Sequence, residues 1–145
     1  METYYILRLG KELRNKLICL RKELYGQGAN YGVLALEPCI FLGPADANTK
    51  IPFVRCPKLP IQVSETPDFQ QGHFFVPLLD APLDELRASL NTNFFYDGIY
   101  LGNQMFDCIV QSISITDVSI ALLSIHQEGT LVSWHVWSER HLDSG

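Results

Sequence analysis

Glu37 and Asp97 stand just ahead of two similar apolar endings, three and two residues before them. Glu37 and Cys39 lead into the apolar ending Ile40-Phe41-Leu42-Gly43, while Tyr96 and Asp97 lead into Ile99-Tyr100-Leu101-Gly102. If the two endings face each other across a groove, its candidate lining is Glu37, Cys39, Tyr96, Asp97 and Tyr100. Carboxylates in a half-buried groove can have raised pKa values, so Glu37 and Asp97 could act as a general acid and base. They could equally be two solvent-facing acids at strand ends. Two carboxylates alone make a poor metal site, and no metal or other cofactor is expected. Cys39 as a nucleophile would need a base beside it, and the sequence supplies none nearby; its alternative is a buried thiol. Tyr96 and Tyr100 are either walls of the core or stacking platforms for a nucleotide base.

The remaining reactive residues form no familiar pattern. The four histidines, His73, His126, His135 and His141, lie outside both endings. Cys19, Cys39, Cys56 and Cys108 are widely spaced, with no CxxC pair and no histidine at zinc-ligand spacing, so free thiols are expected. Gly26-Gln27-Gly28 follows a helix pattern instead of opening one, which excludes a dinucleotide fingerprint. Trp134 and Trp137, three apart on a strand, point to opposite faces and make no cage. His135 between them is expected to satisfy a local hydrogen bond.

Composition bounds the rest. The chain has 145 residues, 47% hydrophobic and 19% charged, which suits one globular domain with one core. Its net charge of −5 argues against a nucleic-acid-coating role. Arg8, Lys11, Arg14, Lys16, Arg21 and Lys22 nevertheless gather six of the eleven basic residues near the start. They read as a solvated helix face, or as a phosphate-steering edge beside a groove. No stretch approaches the roughly 20 apolar residues of a membrane span. The opening residues lack a basic region before an apolar core, so a cytoplasmic protein is expected.

The elements that must position these residues follow from periodicity. Residues 3–9 are aromatic and branched, a buried strand. Leu13, Leu17, Leu20 and Leu24 then recur at helical spacing and stop at Gly26 and Gly28. Residues 31–36 and 39–42 are strand material, with a bulge or edge kink expected at Pro38. Residues 51–63, broken by Pro52, Pro57 and Pro60, predict short edge strands that could pair with a partner chain, and 64–71 a loop. A strand over 73–79 leads to Asp80 as helix N-cap and to Leu83, Leu86 and Leu90 at helical spacing. Strands are predicted over 94–101, 110–115 and 118–125, the last joined to 130–137 as a hairpin.

This order predicts an α+β domain: duplicated β-α-β units forming two mostly antiparallel sheets around a central groove, with helices on the outer faces. The whole chain, 1–145, is one domain. Its halves are roughly 1–43 plus the C-terminal hairpin, and 51–109.

The succession of Tyr4-Tyr5-Ile6-Leu7-Arg8-Leu9 with its helix, Phe41-Leu42-Gly43, residues 73–79 before the second helix, and the hairpin 120–136 resembles the 2H phosphoesterase superfamily. Its best-known branch is the LigT-like, or 2′-5′ RNA ligase-like, group, and the resemblance covers nearly the whole chain. It implies a groove where two His-x-Thr/Ser motifs meet, one imidazole taking a proton and the other giving one. Here Leu36-Glu37-Pro38-Cys39-Ile40 and Phe95-Tyr96-Asp97-Gly98-Ile99 stand in those places, without His, Thr or Ser. A scaffold of this kind without its bases is expected to bind a ligand or protein partner without turnover. The ligand class that the resemblance implies is a small phosphorylated molecule or nucleotide. The alternative is a phosphodiesterase working through other groove residues.

Overall fold

A computed structural model describes residues 2–26, 36–46, 48, 50–128 and 131–143. The first strand, β1 (Glu2–Leu9), is buried on both faces in its middle, Ile6 and Leu7 being fully enclosed. Helix α1 (Lys11–Tyr25) follows, with Leu17 buried and Leu13, Leu20 and Leu24 against the same core. Gly26, at φ +61°, ends it in a conformation that costs glycine little. The expected second stop, Gly28, and nearly all of the strand predicted over 31–36 lie outside the described residues. Leu36 itself is described and is not in a strand.

β2 (Cys39–Pro44) comes next. Pro38 produces no edge kink: β2 lies inside the sheet, and Pro38 sits just before it, where no ladder donor is needed. The proline-broken 51–63 region is irregular except for β3 (Ile61–Gln62) and a bridge from Val63 to Leu78. The expected loop at 64–71 contains a short edge strand, β4 (Asp68–Gln70), which its polar residues concealed. β5 (His73–Pro77) follows. Asp80 is not an N-cap. Asp80 and Ala81 turn through φ +66° and +47°, and α2 (Asp84–Ser89) starts after Leu83 without a side-chain cap.

β6 is shorter than expected, Gly98–Gly102, because residues 94–96 leave the strand. Likewise only β7 (Ser114–Ile115) forms within 110–115. β8 (Val118–Glu128) and β9 (Leu131–Leu142) form the hairpin, longer than its apolar core alone predicts.

Among the described residues, all strand pairs are antiparallel. The large sheet has seven strands in the order β4-β5-β6-β2-β1-β8-β9, and β3-β7 is a second, two-stranded sheet. Among the described residues, two α-helices and two antiparallel sheets make this an α+β fold. Both Leu–Gly endings belong to the large sheet, on adjacent strands, with Ile40 opposite Ile99.

The two pairings β1/β2 and β5/β6 share a detail. Tyr5 faces Gly43 and Ile6 faces Phe41, which skips Leu42; Phe74 faces Gly102 and Phe75 faces Tyr100, which skips Leu101. Gly43 and Gly102 have φ of 152° and 155°. One sheet face packs Tyr5, Leu7, Leu42 and Leu101 against Leu17 of α1 and Leu83, Leu86 and Leu90 of the α2 region. The opposite face carries a separate aromatic cluster. Among the described residues, no helix is long and apolar enough to cross a membrane.

Candidate functional site

The face opposite α1 and α2 takes alternate residues from each strand. β1 contributes Tyr4 and Ile6, β2 Cys39 and Phe41, β5 Phe75, β6 Tyr100, and β8 Ala121 and Leu123. Strand alternation puts His73, two residues before Phe75, and Arg8, two after Ile6, on this face as well.

Glu37 is held by arginines. Arg8 grips both of its carboxylate oxygens, through Nε to one and Nη2 to the other at 2.9 Å, and Arg14 stands 3.5 Å away. The remaining nitrogen of Arg8, Nη1, donates to Glu139. The network therefore balances two cations with two anions. Asp97 has a different owner: Arg87 of α2 reaches it at 2.8 Å and donates to the backbone oxygens of Leu42 (3.1 Å) and Phe41 (2.9 Å). Arg87 thus ties Asp97 to the far end of β2, five residues beyond Glu37, so the two acids are roughly 15 Å apart along the strand. The structure does not bring them together as an acid-base pair.

Cys39 is completely buried, and burial pushes its thiol far above the usual range, so it supplies no thiolate. Tyr96 stacks on Phe75 at 4.0 Å and pairs through its hydroxyl with His73 Nδ1 at 3.1 Å. Tyr100 is buried between Phe41 and His73. Neither tyrosine presents a free stacking face; both are walls.

Gly98 lies within the stretch Phe95–Ile99. A Cβ built there would lie 2.6 Å from the Val76 carbonyl oxygen and 2.7 Å from the Phe75 ring. A side chain at Gly98 would collide with β5.

His73 is the residue that sequence reasoning passed over. Its ring lies within 5.1–6.1 Å of the rings of Phe41, Phe94, Phe95, Tyr96 and Tyr100. Desolvation lowers its pKa, so it is neutral at pH 7. The available signal was alternation in His73-Phe74-Phe75-Val76, which puts His73 on the side of Phe75 rather than of the core residues Phe74 and Val76. The other three histidines lie on β8 and β9. His126 meets Glu128, His141 bridges Asp117 and Asp143 in the open, and His135 packs edge-on against Trp137. Trp134 joins the aromatic cluster, whereas Trp137 is exposed and donates to Ser124 Oγ at 2.7 Å.

A cavity of about 600 Å³ opens over this cluster, lined by Tyr4, Phe41, His73, Phe94, Phe95 and, at the rim, Glu2. Tyr4 donates to the Glu2 carboxylate at 2.7 Å, and burial with this contact pushes its phenol up to about 12. Every Lys, Arg, Asp, Glu and His of the chain is among the described residues. No lysine or arginine is among the cavity-lining residues, and their one imidazole is His73. The described residues hold no group of three or more His, Cys, Asp or Glu placed to bind a metal ion.

No protein-family model and no curated protein matches the sequence. Among solved structures the chain is similar to E. coli LigT, crystallised in complex with 3′-AMP. The likeness covers 97% of this chain and 96% of that one, with a TM-score of 0.54 and 14% identity. The chain therefore has a LigT-like fold.

Proposed function

We propose that this protein is a non-catalytic binding module on a LigT-like fold, one domain over 1–145 built from two copies of a β-α-β unit. The matched register shifts beside Gly43 and Gly102 support the duplication. The observation that carries the loss of catalysis is Gly98: the position facing the groove has no side chain, and β5 has closed over the space for one. Glu37 and Asp97, the remaining ionisable candidates, are committed to different arginines. A small ligand fits better than a docked protein, because the face opposite α1 and α2 carries an open, aromatic-lined cavity of a size typical for ligand sites. Four free thiols suit a reducing, cytoplasmic setting.

A second reading, a phosphodiesterase for nucleotide-like phosphoesters, draws on the likeness to LigT and its bound 3′-AMP. Two features weigh against it. Arg8, on the groove face, is neutralised by Glu37 and Glu139, Arg21 is buried against the Leu36 carbonyl, and only one imidazole joins the aromatic cluster. The test is an assay of the purified protein on 2′,3′-cyclic nucleotides and 2′-5′-linked dinucleotides. The expected result is no turnover above buffer, unchanged in Glu37→Gln and Asp97→Asn. Robust turnover that either substitution abolishes establishes the second reading instead.

A further inference from the structure

We infer that the cavity beside His73 binds a small organic cation with an apolar body, such as a quaternary ammonium group. This rests on the groove being a ligand site, but not on the absence of turnover.

The lining decides the ligand class. Tyr4 and Phe94 pack edge-to-face (89°) with centroids 6.0 Å apart, and both line the cavity. Tyr4 is also perpendicular to Phe41 (77°, 5.3 Å), and Phe95 extends the wall beside Phe94 at 4.7 Å. Ring faces attract cations through their quadrupoles, more strongly as water is excluded. Glu2 is the one ionised side chain among the described lining residues, and the Tyr4 hydroxyl holds its carboxylate at the rim.

The same inventory disfavours an anion. The described lining has no lysine or arginine, and a phosphate placed there would meet Glu2. A neutral apolar guest would gain the ring contacts but nothing from the carboxylate. A compact cation uses both, with its methyl groups against the rings and its charge toward Glu2.

Isothermal titration of the intact protein with choline, and separately with its uncharged isostere 3,3-dimethylbutan-1-ol, tests this. Choline is expected to bind saturably and at least about fivefold more tightly than the alcohol. Phe94→Ala and Glu2→Gln are each expected to weaken choline roughly fivefold. Glu2 is on the surface, so its variant reports binding even if Phe94→Ala disturbs folding. Equal affinities for choline and the alcohol overturn the inference, as do absence of saturation, an unaffected Glu2→Gln, or displacement of choline by 3′-AMP. Success here with turnover in the phosphoester assay would refute the non-catalytic reading alone; failure here without turnover would refute the cation site alone.

Discussion

Arg87 shows how a residue that looks incidental can explain one that looks catalytic. Asp97 occupies a position where groove chemistry is expected, but its partner is an arginine with only 7% of its side chain exposed. That arginine also satisfies two carbonyl oxygens of β2. Removing it leaves those buried acceptors without these bonds and an acid without its cation. We expect Arg87→Leu to lose about 3–5 kcal/mol of stability, read from the urea midpoint. Asp97→Asn keeps a hydrogen-bond acceptor at a site 27% exposed, so about 1 kcal/mol is expected there. A loss in Asp97→Asn as large as in Arg87→Leu would mean that the carboxylate charge itself holds the end of β2. Glu37 and Asp97 were legible in the sequence as acids just ahead of the two endings. Their separation was not, because Arg8 and Arg87 lie far from them along the chain and only the fold reveals which acid each arginine holds.

At the scale of the strands, the two Leu–Gly endings constrain what the groove can become. Each skips its leucine in the ladder and passes through a glycine at large positive φ. At Gly43 a Cβ would meet the backbone of Asn93 at 2.5 Å, so that glycine is required by packing as well as conformation. Gly98 is the more telling test. Placing a hydroxyl there as Gly98→Thr should drive a side chain into Val76 and Phe75 and cost about 3 kcal/mol by urea denaturation, without creating phosphodiesterase activity. A fully stable Gly98→Thr protein would show that β5 gives way easily and that the groove is not closed. The strand-helix-strand order, the Leu17 and Leu86 faces, the glycine endings and the terminal hairpin were all readable from apolar spacing. Residues 94–96 were not: Phe94, Phe95 and Tyr96 have strand composition, yet their rings pack around His73 instead of continuing the ladder. β4 was hidden for the opposite reason. Asp68, Phe69 and Gln70 at a sheet edge need little apolar character, because their outer side faces water.

Over the whole molecule, β1 is the strand that joins the parts. It lies between β2, which leads on to β6 and β5, and β8, which leads to β9, so the aromatic cavity and the C-terminal hairpin hang on one backbone ladder. Its two faces also serve both cores, with Leu7 toward the helices and Ile6 toward the aromatic cluster. An arrangement with no internal edge between the halves should unfold as a unit. The two tryptophans, Trp134 and Trp137, are both on β9 at one end of the sheet, while α1 and α2 lie over its other strands. Tryptophan fluorescence therefore reports the hairpin, and helical circular dichroism reports the helix-covered side. We expect the two urea transitions to coincide in midpoint and slope. A tryptophan transition at clearly lower urea would mean that β8 and β9 detach first. In that case Arg8 would lose Glu139 while keeping Glu37, and the groove face could acquire a net positive charge in a partly open state.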